Sequence, residues 1–334
     1  MADIKVPVLS VGNWGGILLH LRGNVEGYLN AGSEQKYLRF VTGRHDLPFY
    51  EPENVELQKS FLDAFLKDDD TMGWSTGEAP KVGFVIRQGD VGYNDAAAEK
   101  AYPYRFEKEW PLPDTQYTKF YLAADGGLSQ QSSKQEQNDR VSYRALGDLK
   151  NPQVVRFETS RFEQQTEFTG HVVVHLNVSA SKATDSNFEP SDIDLFITLR
   201  HIDANAQEIL YTGTVGDPVP ITKGWLRVSL RKIDHKSPRN TFWHPHRNYL
   251  SSDASAVTPG TIYPVDVEVW PTNVVVEKGG KLVLEVSSGD TQGAGIFEHN
   301  SPEDRKPEKL EGTNHIHFGP EHDNWVLMPV IPPR

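Results

Sequence analysis

Ile4-Lys5-Val6-Pro7-Val8-Leu9-Ser10-Val11, closed by Gly12-Asn13, opens the stretch over residues 4–66 on which the reading of the chain turns. A short apolar run of this kind is the form of a strand buried on both faces of a parallel sheet. After Trp14-Gly15-Gly16, apolar residues recur at Ile17, Leu18, Leu21, Val25, Tyr28 and Leu29, a helical spacing that gives one stripe able to lie on a sheet. Tyr37-Leu38-Arg39-Phe40-Val41-Thr42 then predicts a second strand, ended by Gly43. Strand, helix and strand in this order pair their strands in parallel through a right-handed crossover. Pro52 next opens a second covering helix over 53–67, with Val55, Phe61, Leu62, Phe65 and Leu66 on one face and acids in its first turn.

Two parallel strands with helices do not make a stable domain, because the outer edge of the first strand keeps unpaired backbone groups and its faces stay wet. The sequence begins three residues before that strand, so the missing strands are expected from outside it: an upstream half, a separate subunit or a second copy. The 43–48 loop carries His45 just past the carboxyl end of a parallel strand, where open α/β sheets place their working residues. A histidine there suits acid and base chemistry near neutral pH, which makes His45 the candidate catalytic residue. The plain alternative is a surface histidine.

With 334 residues the chain is long enough for two domains and a sizeable core. A formal net charge of -12 argues against a nucleic-acid backbone as partner, which needs clustered cations. No apolar run approaches the length of a membrane span, and no basic stretch followed by an apolar core opens the sequence, so neither a membrane nor a secretion signal is expected. The absence of cysteine removes disulfides, thiolate nucleophiles and thiolate metal ligands, and fits a reducing, cytoplasmic location.

Beyond the second helix the character changes. Asp68-Asp69-Asp70 and the 73–80 segment are polar and turn-rich, and predict a linker over 68–80 between a first unit, 1–67, and a second, 81–334. The second unit reads as strands at 82–87, 116–122, 154–158, 167–179, 193–201, 208–213, 225–232, 265–270, 281–287 and 324–330, a β-sandwich or jelly roll. Val172, Val174, Leu176 and Val178 share one face opposite Val173, His175 and Asn177, which predicts a half-buried strand. Leu195, Ile197 and Leu199 oppose Phe196, Thr198 and Arg200, and the 203–207 segment reads as a hairpin turn. The polar 126–138 segment and the charged 301–312 segment read as exposed loops.

Three motifs bear on chemistry. Gly73-Trp74-Ser75-Thr76-Gly77 matches G-x-S-x-G, but the nucleophile elbow needs a buried strand before it and a helix after it. Here three aspartates precede and a strand follows, so Ser75 is not expected to be a nucleophile. His244 with His246, and His315 with His317, lie two apart, a spacing that on a strand shares a face and could chelate. Pro245 interrupts the first pair, Gly319-Pro320 closes the second, and no carboxylate recurs at a fixed ligand offset, so structural roles are expected and no metal or other cofactor. Asp290 reads as a turn former at a strand end, and the 89–93 segment follows no pattern of a phosphate loop.

The later stretches carry a resemblance: Asp194-Leu195-Phe196-Ile197-Thr198-Leu199-Arg200, Gly224-Trp225-Leu226-Arg227, Tyr263-Pro264-Val265-Asp266-Val267-Glu268-Val269-Trp270-Pro271-Thr272, Leu282-Val283-Leu284-Glu285-Val286-Ser287-Ser288-Gly289-Asp290 and Leu327-Met328-Pro329-Val330-Ile331-Pro332. Over nearly its full length the chain resembles the carboxyl-terminal two-thirds of the CocE/NonD family of serine hydrolases, which includes X-Pro dipeptidyl-peptidase-like proteins. The resemblance implies an α+β, mostly β chain: the last strands and helices of an α/β-hydrolase domain, then an antiparallel jelly roll of the galactose-binding-like type. It implies cleavage of an ester or amide through an acyl-enzyme, on a small acyl ester or peptide substrate.

In that family the loop after the first of these strands reads Gly-Trp-aromatic-Asp and supplies the triad acid, and the loop after the second supplies the histidine. Asn13-Trp14-Gly15-Gly16 aligns with the first loop and places glycine at the acid's position. His45 lies in the second loop, two residues earlier than the family's Gly-x-Trp-x-His spacing, and Asp46, its chain neighbour, is a poor substitute for the acid because adjacent extended side chains diverge. The resemblance puts the nucleophilic serine upstream of the matched portion, so the expected partner is an upstream hydrolase half, or a homo-oligomer covering the first strand. The rival expectation is a non-catalytic β-sandwich module that binds carbohydrate or stabilises an assembly, for which Trp225, Trp243 and Trp270 are the aromatics to place.

Overall fold

The structure, a computed structural model, describes residues 1–132 and 137–333. Strand β1 (Val8–Asn13), helix α1 (Leu21–Asn30) and strand β2 (Lys36–Val41) form the expected crossover, with β1 and β2 parallel and Val8 through Asn13 opposite Lys36 through Val41. Helix α2 (Pro52–Leu66) follows, opened by its proline. β1 starts later than the apolar run suggests: Ile4 and Val6 are exposed. It is also not buried on both faces, since it lies at the edge of the sheet with Val8 to Ser10 only half-buried and Val11 exposed. β2, with a neighbour on each side, is buried from Tyr37 to Phe40.

β3 (Val82–Val85) is grouped by its sequence with the later strands, but hydrogen bonding places it beside β2. Leu38, Arg39 and Phe40 face Val82, Gly83 and Phe84 in parallel. A further helix, α3 (Ala96–Glu99), is capped by Asp95. The antiparallel β4 (Tyr104–Glu107) then completes the order β1-β2-β3-β4. The period of two along β2 divides the faces. Leu38 and Phe40 join Leu21, Val25, Tyr28 and Phe84 in the main core, which is continuous with the β-rich part. Tyr37 turns the other way, toward Trp74, Ala64 and the half-buried Phe61 and Phe65 on α2.

The remaining strands are β5 (Gln116–Leu122), β6 (Gly127–Ser129), β7 (Asp139–Arg144), β8 (Val154–Thr159), β9 (Thr166–Ser181), β10 (Asp194–Ile202), β11 (Glu208–Ile209), β12 (Tyr211–Thr212), β13 (Pro218–Val219), β14 (Thr222–Arg227), β15 (Tyr263–Val276), β16 (Lys281–Ser287), β17 (Thr313–Phe318) and β18 (Trp325–Ile331). A last short helix, α4 (Pro307–Leu310), seats Leu310 in the interior of the 301–312 segment. The chain is mostly β, as expected, but the sheet closes on itself where two separate layers are predicted. Nine strands run β15-β14-β10-β16-β8-β6-β5-β18-β9, and β9 returns to β15.

Closure rests on two features. β9 and β15 are 16 and 14 residues long, and their register shifts between Val269 and Thr272, a bulge that lets the pair bend. β14 meets β15 at Gly224 opposite Val269, where a Cβ on Gly224 would stand 2.4 Å from the Glu268 carbonyl oxygen. Only glycine allows this approach.

β9 is not half-buried: Val172, Val174, Leu176 and Val178 fill the core, and Val173 and Asn177 on the opposite face are buried too. The 203–207 turn joins β10 to β11 as expected, while the main partners of β10 are β14 and β16. Its outer face is covered by the segment after β16, where Arg305 lies over Phe196 and Arg200 donates to Gln292 O. The 126–138 segment is not all loop, since Leu128 of β6 is buried between β5 and β8; residues 133–136 lie outside the described residues.

Candidate functional site

The carboxyl ends of β1 and β2 are fixed by the Asn13-Trp14-Gly15-Gly16 turn. Trp14 is fully buried, stacked on Phe40 with ring centroids 3.9 Å apart, and its Nε1 donates to Val85 O at 2.8 Å. Asn13 bridges the two loops: Nδ2 donates to Gly43 O at 2.8 Å, and Oδ1 accepts from Gly15 N–H at 2.8 Å. Gly15 lies against the β12 strand, where an added Cβ would stand 1.8 Å from Thr212 O. The same segment holds the histidine loop, because His45 N–H donates to Thr214 O at 2.9 Å.

His45 is exposed at the mouth of a cavity of about 420 Å³ between α1 and α2. Its neighbour there is His20, just before α1, with ring centroids 4.8 Å apart. Among the described residues no carboxylate pairs with His45. Gly16 also lines this cavity, at the position aligned with the family's acid, and Asp46 lies at its rim. The geometry offers an imidazole able to accept a proton, open to the surface beside β1. Sequence reasoning missed His20, because nothing in the sequence around a helix start indicates which loop its side chain faces.

Ser75 stands on an exposed turn after α2, and its Oγ donates to Asp70 Oδ2 at 2.6 Å. The Ser75 hydroxyl and neighbouring backbone amides hold the Asp70 carboxyl down to about 2. The motif is an anchor, with Trp74 buried against Tyr37 and Phe61. Asp290 is buried and accepts from His299 N–H at 2.6 Å, which ties down the loop after β16.

The paired histidines do not chelate as pairs. His315 bridges Ser142 and Ser181 at 2.7 and 2.8 Å, and His317 meets Ser179 at 2.8 Å, so these rings cross-link β7, β17 and β9. Burial, with Arg140 and His317 nearby, pushes His315 down to about 4. His244 instead meets Glu26 of α1 at 2.8 Å and Glu268 of β15 at 3.6 Å. The ligand atoms of these three lie within 4.8 Å of one another, a spacing that could hold a cation. Arg22 already pairs with Glu268 at 2.8 Å and Arg239 with Glu26 at 2.5 Å, so the carboxylates are neutralised from within the chain.

Burial opposes ionisation of Glu26, but His244, Arg22 and Arg239 outweigh it and hold the carboxyl down to about 2. Burial likewise opposes charge on His244, and Glu26 and Glu268 outweigh it, raising its value. His171, buried beside them and accepting from Trp110 Nε1–H at 3.1 Å, is pushed down to about 3 by burial.

A cavity of about 840 Å³ lies on the outer side of β8, β10 and β16, and His45 does not line it. Arg156 and Arg200 on its wall each reach Glu285 at 2.9 Å, and no aromatic is among its lining residues. Trp225 and Trp270 meet edge to face at 5.7 Å, while Trp243 packs on His171, so the three do not make one aromatic platform.

A parallel sheet edge with a histidine past a strand end, packed through one core on a closed β domain, is an arrangement that superposes on hydrolases of the CocE/NonD type. Residues 79–327 match the X-Pro dipeptidyl-peptidase C-terminal non-catalytic domain, and the chain belongs to that family. It is 24% identical over 319 residues to cocaine esterase of Rhodococcus sp. (strain MB1 Bresler), covering 84% of this chain and 46% of that protein. A crystal structure of a CocE/NonD family hydrolase from Staphylococcus aureus superposes with a TM-score of 0.80 at 25% identity, over 98% of this chain and 55% of the other. An α-amino acid ester hydrolase shares the fold, with a TM-score of 0.63 at 16% identity, over 98% of this chain and 56% of that one. The chain thus spans about half the length of these relatives. Among the described residues, no helix is long and apolar enough to cross a membrane.

Proposed function

We propose that this chain is the carboxyl-terminal part of a CocE-type, X-Pro dipeptidyl-peptidase-like serine hydrolase, cleaving an ester or amide bond through an acyl-enzyme. In this reading the β-rich part is a jelly roll of the galactose-binding-like type that forms a wall of the substrate cleft. The observation that carries the reading is His45, held at the carboxyl end of β2 by Thr214 and facing an open cavity beside the unpaired edge of β1. His45 acts as general base toward a serine hydroxyl supplied by residues outside this sequence, taking its proton as the hydroxyl attacks the acyl carbonyl and returning it to the leaving group. An upstream hydrolase half, or a second copy, would pair with β1 and cover Val6, Leu62 and Leu66, which are 67, 51 and 75% exposed. The location proposed for this protein is cytoplasmic.

A second reading, a non-catalytic binding or assembly module, is favoured by Gly16, which leaves the aligned acid position without a carboxylate. One experiment separates the two. The product of the native locus is purified, its mass measured, and its hydrolysis of p-nitrophenyl acyl esters and X-Pro p-nitroanilides followed with and without His45→Ala. A product longer than 334 residues, or one carrying a second subunit, whose turnover falls at least about a thousandfold in the variant supports the hydrolase. Inactivity toward both substrate classes, or turnover indifferent to the substitution, gives the site to the module.

A further inference from the structure

The histidine loop has a second cavity on its other side. It encloses about 390 Å³ and is walled by Thr42 to Arg44 and Leu47 of the loop, whereas His45 and Asp46 face the first cavity. Its floor is Glu99, the last residue of α3, which is 8% exposed. One carboxylate oxygen, Oε1, accepts from the Thr212 hydroxyl, and that hydroxyl in turn accepts from Asn94 N–H at 2.7 Å. The single proton of Thr212 is therefore committed to Glu99 Oε1. The other oxygen, Oε2, is buried and has no hydrogen-bond partner among the described residues. A buried acceptor left unpartnered is costly unless something outside the chain supplies the donor.

No cation of the chain hydrogen-bonds it among the described residues, although the buried Arg87 is close enough to Glu99 for their charges to interact and its Nη1 is itself without a hydrogen-bond partner. Arg87 lies over the Tyr211 ring and donates to Asn273 O at 2.8 Å, Thr272 Oγ1 at 2.6 Å and Ile221 O at 3.2 Å. Lys100, at the rim, reaches Glu51 and Glu53 at 3.6 and 3.4 Å. Arg44 lines the same cavity, and its Nε is likewise buried without a hydrogen-bond partner among the described residues. The space around these two opposite charges is walled by Val41, Pro48, Val85, Tyr102 and Tyr104. A bare metal ion would leave most of this volume empty, and a bare ammonium would leave the buried Arg44 Nε without an acceptor.

We propose that this cavity binds a small zwitterion of the α-amino acid class, its ammonium on Glu99, its carboxylate at Arg44 and its apolar side chain against Tyr102 and Tyr104. The site is separate from the His45 cavity and does not rest on the hydrolase reading, because its occupancy is read as binding.

The test titrates the whole chain with L-phenylalanine, 2-phenylethylamine and 3-phenylpropionate, following each by ligand-observed saturation-transfer NMR and isothermal calorimetry. L-Phenylalanine is expected to bind, with each one-charge analogue at least about tenfold weaker. Glu99→Gln, which keeps the shape and removes the charge, is expected to weaken L-phenylalanine by a similar factor. Should that variant not fold, Ala96→Phe serves in its place: Ala96 is an exposed residue at the cavity wall, and a phenyl group there blocks the space while leaving Glu99 intact. The proposal is overturned if folded wild-type protein binds no L-phenylalanine, if either analogue binds as well, or if a folded variant of either kind binds undiminished.

Discussion

His244→Gln probes the junction between α1 and the closed β domain. Glu26 and Arg22 of α1 meet Glu268 of β15 and His244 and Arg239 of the 231–250 segment in one ion network whose carboxylates and imidazole are buried. The Glu26 carboxyl is held at about 2 against an ordinary 4.5. A displacement of this size corresponds to about 3 kcal/mol of folding free energy at neutral pH. His244 is the strongest of the three favourable partners, so its removal is expected to forfeit roughly half, about 1.5–2 kcal/mol, or 2–3 °C in a chain of this length.

The two ends of the pair titrate in opposite senses. Glu26 is depressed, so its contribution is present above about 4.5 and lost as pH falls toward about 2. His244 is raised above 6.5, so its contribution is full below 6.5 and lost as pH rises through its folded value. Both are intact near pH 6. Urea unfolding of wild type and variant, followed by tryptophan fluorescence, is expected to show the deficit at pH 6 and a shrinking one as pH rises through the folded His244 value. A deficit that never declines with rising pH, up to the unfolding of the wild type by base, would mean that the imidazole carries no charge here and fills space only.

Two further substitutions address the site itself. Gly15→Ala places a Cβ 1.8 Å from a backbone oxygen that cannot rotate away, so it is expected to cost about 1–3 kcal/mol and to shift the His45 imidazole resonances; a variant as stable as wild type with an unmoved His45 would refute the close approach to Thr212. Gly16→Asp meets nothing nearer than Asn13 O at 3.2 Å and adds a carboxylate at the wall of the His20–His45 cavity, so the His45 imidazole resonances are expected to move relative to wild type. Unmoved resonances would show that this position does not face the histidine.

The crossover unit was legible because its evidence is local: apolar spacing gives α1, a β-branched and aromatic run gives β2, and a glycine after β2 opens the loop that carries His45. What eluded the sequence was set by distant partners. Val82–Val85 reads as a strand, yet nothing in Val-Gly-Phe-Val says that its neighbour is β2 and not a strand of the β domain. Tyr104-Arg105-Phe106-Glu107 is short and lies among polar residues, so β4 left little periodic signal. The alternation along β9 and β10 was real, but predicting one wet face assumed nothing would cover it, and the covering segments lie more than a hundred residues away in places. Glu26 and His244 likewise meet across 218 positions, which no motif spacing could reveal.

These long-range contacts bear on how the histidine is held. The 42–46 loop could have taken its shape from β1 and β2 alone, but among the described residues the hydrogen bond that holds it from within that unit is from Asn13 to Gly43 O at 2.8 Å, beside the ring contact of His20. His45 N–H is bound by Thr214, the turn beside it is pressed by Thr212, and the tryptophan beneath is tied to Val85. Each of these comes from residues beyond the crossover unit. The position of the His45 backbone is therefore a property of the β domain as much as of the parallel sheet. In the proposed hydrolase a partner pairing with β1 would bring its nucleophile to a loop already in place, and changes at 212–214 are expected to move the His45 backbone although, among the described residues, none of the three lines the His45 cavity.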